Sequence, residues 1–318
     1  MDVEVFKLNE NIKYKDQKKI WVETNSDKNL LQLARKNNDI MSIYKELIRN
    51  DYILYLHKQG FSRFCKRESV NDLLDGLNLI KDENIYYTLD EPKGRKINNR
   101  TAKKLIVIFA RMPSTDMYDN AKIPIRMFPP SFSNIERSLV KNVYIMRIMD
   151  LNCSHGSFYI NTINNPNYED EIQNAIKNVM KRIGITKTNV VLYGFSRGGS
   201  GAIYHGSLND YKTLAVDPLL NIGGNLSSNN RRLLKGLRKE DVTPDINKYL
   251  EISNEHKKVV ICSENISFYF EEIQRLNQNK IKIINMKDDK ITSHSEVSPN
   301  TVPEQLMILN NLLSEVSV

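Results

Sequence analysis

The stretch Asn189 to Ser200, NVVLYGFSRGGS, holds the residues best suited to chemistry. Val190 to Tyr193 are apolar and β-favouring, the composition of a buried strand. Gly194, Ser196, Gly198 and Gly199 then make a G-x-S-x-G-G turn, and Ala202, Ile203 and Tyr204 open a helix. Strand, sharp turn and helix together are the setting of a nucleophile elbow. The glycines let strand and helix pack closely, and the serine hydroxyl stands at the carboxyl end of the strand. The next backbone N–H, that of Arg197, falls at a helix start, where it can help hold an oxyanion. A plain glycine turn would also match the five-residue pattern; the flanking strand and helix favour the nucleophile.

A serine hydroxyl needs a base to take its proton and an acid to hold that base. Three histidines follow Ser196. His205 sits on the elbow helix and reads as a packing residue. His256 lies in a polar run before a strand and reads as solvent-facing. His294 follows the last strand, at the carboxyl end where ligands bind in open α/β sheets, and is the expected base. For the acid, Glu264 ends the penultimate strand and is preferred. Asp217, which ends the strand after the elbow helix, is the alternative, and Asp288 and Asp289 lie near His294 in sequence. Each of these also reads as a helix cap or turn residue. The second oxyanion N–H is expected from Ala110 or Arg111. The guanidinium groups of Arg111 and Arg197 can meet an anionic substrate, and His155 can line the cleft.

These residues need a scaffold. Strands are expected at Leu105–Phe109, Val143–Met149, the elbow, Tyr211–Val216, Val259–Cys262 and Ile281–Met286. Helices are expected at Glu169–Ile183, Ile266–Asn277 and Thr301–Leu313. The alternation implies an α/β fold over residues 81–318. That fold is an α/β-hydrolase-like, mostly parallel sheet with helices on both faces. Residues 1–80 read as a mainly helical N-terminal region, with pieces at Leu30–Ile48, Tyr52–His57 and Val70–Leu79. It is expected to cap the main domain or to bind a partner. Within it, His57 to Arg67 reads as a wetted basic face or as a contact for an anionic polymer.

Composition narrows the classes. The 318 residues are 40% apolar and 26% charged, as in a globular protein. A net charge of +8 suits anionic partners such as activated sugars. No zinc-finger, RRM or helix-turn-helix signature supports nucleic-acid binding, and no early G-x-G-x-x-G supports a dinucleotide. Cys65, Cys153 and Cys262 lack disulfide or metal spacing and read as reduced core residues. No cofactor and no metal is called for. The amino terminus lacks the apolar stretch of a signal peptide, and no apolar run reaches the length of a transmembrane segment. The expected location is cytoplasmic, or peripheral at the inner face of the membrane.

GFSRGGSGAIYHG, preceded by IMDLNCSHGSFYI and followed by AVDPLLNIGG, resembles bacterial capsular polysaccharide biosynthesis proteins with an α/β-hydrolase core. The resemblance covers about residues 85–310. More distantly the chain is similar to the accessory secretory family that acetylates glycans on exported serine-rich glycoproteins. That family uses a serine, a glutamate and a histidine, which the resemblance carries onto Ser196, Glu264 and His294. It implies a serine-dependent esterase or O-acyltransferase acting on a cell-surface or capsular polysaccharide or its precursor. It also implies a glycan or activated-sugar substrate and capsule-assembly proteins as partners. The alternative is a non-catalytic scaffold of a capsule or glycan-export assembly. One departure stands out: ARMPS, not an HGGG-type oxyanion loop, follows Phe109.

Overall fold

The computed structural model describes residues 3–8, 10, 17–93, 96–98, 100–221, 235–255 and 257–314; His256 lies outside the described residues. Among the described residues before Arg67 there is a four-stranded sheet. Its strands are β1 (Glu4–Lys7), β2 (Lys19–Glu23), β3 (Tyr52–Lys58) and β4 (Phe61–Lys66), in the order β1-β2-β4-β3. Between β2 and β3 come α1 (Leu30–Ala34) and α2 (Asn38–Arg49).

The expectation of a mainly helical region is therefore corrected. Tyr52–His57 is strand, not helix, and Val70–Leu79 contains only a short 3-10 turn at Asn71–Leu73. The reason lies at Gln59 and Gly60, both with positive φ, of 53° and 76°. Two successive residues of that kind make a hairpin turn whose twist matches paired strands. YILYLHK and FSRFCK consequently pair antiparallel. The basic groups of the hairpin also have partners within the chain: Arg63 lies over the Trp21 ring, and Arg67 pairs with Asp51 at 3.1 Å. The buried face of this layer (Tyr44, Leu54 and Phe64 among others) packs against Cys153, Phe158 and Leu219.

Among the described residues the second sheet has eight strands. They are β5 (Ile80–Asp82), β6 (Ile85–Asp90), β7 (Lys104–Phe109), β8 (Val143–Ile148), β9 (Val190–Phe195), β10 (Lys212–Val216), β11 (Lys258–Cys262) and β12 (Lys282–Asn285). The order is β12-β11-β10-β9-β7-β8-β6-β5. Neighbours from β12 to β8 are parallel, while β8-β6 and β6-β5 are antiparallel. The helices between these strands are α3 (Ile123–Met127), α4 (Tyr168–Ile183), α5 (Arg197–Leu208), α6 (Thr243–Glu251) and α7 (Ser267–Gln274), and α8 (His294–Asn300) and α9 (Val302–Leu313) follow β12.

Alternate residues of the central strands face opposite layers, as the strand period of two requires. Leu105, Val107 and Leu192 meet Ile172, Ile176 and Val179 of α4. Ile106, Ile108 and Val191 meet Leu309 and Leu312 of α9. The expected mostly parallel sheet covered on both faces is present. Helix α4 shows how local sequence sets an element. Glu169, Asp170 and Glu171 stand in its first turn, Lys181 and Arg182 in its last, and Gly184 closes it in the left-handed region at φ 76°. The three cysteines are buried and unbridged, and burial pushes each thiol up to about 12. Among the described residues no helix is long and apolar enough to cross a membrane.

Candidate active site

Strand β9 delivers Ser196 and α5 begins at the next residue. Ser196 has φ 58° and ψ −123°, a conformation costly for a residue with a Cβ. The turn is tight enough to exclude side chains. A Cβ on Gly194 would lie 2.1 Å from the carbonyl of Gly198, and one on Gly198 would lie 2.1 Å from the Phe109 carbonyl oxygen. Both atoms are backbone, so neither can step aside cheaply. Gly198→Ala is expected to lower stability by about 1–3 kcal/mol, as overpacking does. Urea unfolding checks this, and an unchanged midpoint would mean that the elbow is looser than described.

His294 and one of the two candidate carboxylates converge on Ser196. The Ser196 hydroxyl donates to Nε2 of His294 at 2.7 Å, and Nδ1–H of His294 donates to Oδ2 of Asp217 at 2.6 Å. Asp217 ends β10, the strand hydrogen-bonded to β9, and its side chain is wholly buried. Its second oxygen, Oδ1, is buried without a hydrogen-bond partner. Burial raises the Asp217 carboxyl above the usual carboxylate range, against the pull of His294. Phe195 stacks on the imidazole at 5.2 Å between centroids, and Tyr269 lies at 4.6 Å on it.

The preferred acid, Glu264, is not part of this cluster. It is exposed, accepts from Nδ2 of Asn285 at 2.8 Å and pairs with Lys287 at 3.3 Å. Those partners hold its carboxyl below the usual range. It follows β11, two strands from the elbow, and strands are spaced by about 4.8 Å. Asp217 is one strand away. The structure places His294 against Ser196, and it is Asp217, the alternative, rather than Glu264 that meets the imidazole.

The oxyanion residues divide. The Arg197 N–H opens α5, where the first N–H groups have no helical acceptor. Ala110 does not qualify, because its N–H donates to the Ile148 carbonyl at 3.3 Å. The Arg111 N–H donates to the Ser131 hydroxyl at 3.4 Å.

The substrate-binding roles expected of Arg197 and His155 are also overturned. The Arg197 guanidinium has no exposure and donates to the carbonyls of Ala110, His155, Arg111 and Met127. His155 is 4% exposed, and its ring pairs with Asp119 at 3.1 Å and packs on Tyr118. Its place on a polar loop suggested a cleft, but Gly156, Phe158 and Tyr159 (all with positive φ) fold that loop inward. Sequence reasoning missed Asp150. This carboxylate is buried beside Arg197 and could have been found as an acid ending an apolar strand.

His205 is packing, as expected. It is fully buried; its Nε2–H donates to the Tyr159 carbonyl at 2.8 Å, and Gln173 donates to its Nδ1 at 2.7 Å. Burial lowers it from 6.5 to about 4. The unfolded chain therefore takes up this proton first. The contribution of neutral His205 is whole above pH 6.5 and is lost as the pH falls toward 4. Urea unfolding of wild type and His205→Gln at neutral and acid pH measures it. The wild-type advantage is expected to shrink by up to about 3 kcal/mol across that interval. A constant difference would mean that His205 does not titrate this way.

Comparison with known proteins follows this geometry. The Asp2 family of the accessory Sec system, described as the GspB-transporter, matches residues 139–298, half of the chain. The accessory Sec system protein Asp2 of Staphylococcus aureus is 27% identical over 174 residues. That match takes in 53% of this chain and only 32% of the relative, so the chain spans about a third of its length. Two solved structures share the fold. The capsule O-acetyltransferase of Neisseria meningitidis serogroup A has a TM-score of 0.50 at 12% identity, over 73% of this chain and 94% of that one. The glycosylation-associated protein (Gap123) complex of Streptococcus agalactiae has a TM-score of 0.52 at 18% identity, over 80% of this chain and 50% of that one. The expected α/β fold with its mostly parallel sheet and the resemblance to the accessory secretory family both hold, and the chain belongs to the Asp2 family of the accessory Sec system.

Proposed function

We propose that the protein is a serine esterase or O-acyltransferase acting on a glycan or its activated-sugar precursor. One observation carries the reading: the relay from the Ser196 hydroxyl through His294 to the buried Asp217. In the proposed reaction Ser196 Oγ attacks the acyl carbonyl while His294 Nε2 takes its proton. Asp217 holds the imidazole by its Nδ1–H and stabilises the imidazolium. The Arg197 N–H and that of Arg111 receive the oxyanion, for which Arg111 must leave Ser131. His294 then returns the proton to the leaving group, and an acyl-serine remains. Water gives hydrolysis and a sugar hydroxyl gives transfer, by the same residues.

The capsule O-acetyltransferase and the Gap123 complex share this fold, which supports a glycan as acceptor and a glycosylation assembly as partner. The site would work on the cytosolic side of the membrane. A fluorophosphonate probe tests the chemistry. It should label wild type at Ser196 and should label neither Ser196→Ala nor His294→Ala. A folded wild type that takes no label would sink the reading. Incubating the acyl-enzyme with a glycan, with mass detection of the acylated sugar, separates transfer from hydrolysis.

A further inference from the structure

His294 is held by more than its hydrogen bonds. It opens α8, whose start is fixed by a capping box: the Ser293 side chain accepts from the Glu296 N–H, and Glu296 accepts from the N–H groups of Thr292 and Ser293. The backbone under the imidazole is therefore set. The side chain is 22% exposed, so the ring has water on one side and is placed by what touches it on the others. Nε2 meets Ser196 and Nδ1 meets Asp217. Phe195 lies 25° from parallel with centroids 5.2 Å apart, and Tyr269 lies closer, at 4.6 Å and 47°.

Helix α7 sets where Tyr269 stands. Phe270 and Ile273, three residues apart and so on one face, pack into the core with Ile246, Val260 and Ile281. Tyr269 is left on the flank toward α8. Phe268 braces it edge-on at 5.3 Å, and it packs against the core that the N-terminal layer shares with Leu219.

These contacts matter at different stages of the reaction. Hydrogen bonds restrain the imidazole within its plane, and ring contacts restrain tilting out of it. While Ser196 is free, its hydroxyl donates to Nε2. Once Oγ carries an acyl group it has no proton to donate, and that bond is gone. Asp217 and the aromatic rings must then keep the imidazole where the incoming hydroxyl meets it. When Nε2 takes the new proton, the ring becomes a cation 4.6 Å from the Tyr269 centroid. That is inside the roughly 6 Å over which an aromatic ring attracts a cation.

We infer that Tyr269 is a positioning residue for the second half of the reaction: its ring keeps His294 directed at the acyl-serine and steadies the imidazolium formed there. The inference rests on the acyl-serine reading above. In this step His294 Nε2 takes the proton of water or of a sugar hydroxyl, and the oxygen of that group bonds to the acyl carbon. The bond from the acyl carbon to Ser196 Oγ breaks, and Oγ receives the proton from His294.

The test measures both halves on the full chain with p-nitrophenyl acetate. Stopped-flow release of p-nitrophenol gives the acylation rate constant, and the intact mass of isolated acetyl-enzyme followed over time gives the deacylation rate constant. Tyr269→Leu removes the ring and is expected to slow deacylation by about tenfold or more, the scale of a cation–π contact kept from water. Acylation should fall by at most about threefold. Tyr269→Phe keeps the ring and should deacylate within about threefold of wild type. Both are first-order constants per active site, so a misfolded fraction lowers the amplitude and leaves them unchanged. A Tyr269→Leu variant whose two constants fall in parallel or stay at wild-type values overturns the inference and leaves the serine reading alive. A Tyr269→Phe variant as slow as Tyr269→Leu also overturns it, because the hydroxyl and not the ring is then at work. A wild type with no turnover and no fluorophosphonate label at Ser196 overturns both.

Discussion

Asp217→Asn will lower ester turnover by about 10⁴-fold, and Glu264→Gln will leave it where it is. The asymmetry follows from what each carboxylate touches. Asp217 accepts the Nδ1–H of His294 at 2.6 Å from a site with no solvent exposure. An amide there can present its NH₂ to the ring and favour the tautomer in which Nε2 carries the proton. That nitrogen then cannot accept the serine proton. The amide also removes the negative charge that the imidazolium needs in the transition state, where little water screens it. Glu264 faces solvent and bonds to Asn285 and Lys287, so its neutralisation reaches neither ring nor serine. Paired kinetics of the two variants decide the acid. Loss of turnover in Glu264→Gln with Asp217→Asn still active would reverse the assignment. Because burial raises the Asp217 carboxyl, its protonation should also contribute to the acid limb of the rate profile. Activity is lost as the pH falls through that raised value, since only the ionised form supports the imidazolium.

Ser196 and His294 were legible because local signals suffice for both. A glycine pattern between a strand and a helix marks Ser196, and a position after the last parallel strand marks the histidine that meets it. The acid was not, because the choice depends on strand order. Asp217 and Glu264 both end apolar strands in the sequence. Only the pairing of β10 with β9 makes Asp217 the near one. The parallel sheet was readable from its continuous apolar runs, which need cover on both faces. The N-terminal layer was misjudged because YILYLH is apolar at helical as well as strand intervals, and the turn at Gln59 and Gly60 decides it. Arg197 and His155 looked like cleft residues for a related reason. Polar type alone does not distinguish a group that meets a ligand from one that satisfies buried carbonyls.

Arg197→Ala should destabilise the protein by about 3–5 kcal/mol, the scale on which breaking a buried pair acts. Neither Arg197 nor Asp150 has solvent exposure, and Nε of one lies 3.7 Å from Oδ2 of the other. Asp150 also accepts from the backbone N–H groups of Ser157 and Phe158, at 3.0 and 2.9 Å, and from the Tyr168 hydroxyl at 3.3 Å. Burial still raises its carboxyl, and Arg197 opposes that rise. Removing the guanidinium leaves Asp150 without its counter-ion. It also leaves the carbonyls of Ala110, His155, Arg111 and Met127 without this donor.

The consequence reaches the chemistry, because the Ala110–Arg111 segment carries a proposed oxyanion donor. It also reaches the N-terminal layer. Through His155 the loop that carries Asp150 meets Asp119, which pairs with Arg35 next to α1. Arg197→Lys keeps a charge but not the planar fork that serves several carbonyls, so it should fold and lose turnover. Urea unfolding of Arg197→Ala, Asp150→Asn and the double variant measures the coupling. The double should cost less than the two singles added, because the second change removes a charge already stranded by the first. If Arg197→Ala unfolds within about 1 kcal/mol of wild type, the guanidinium is not the brace of the elbow.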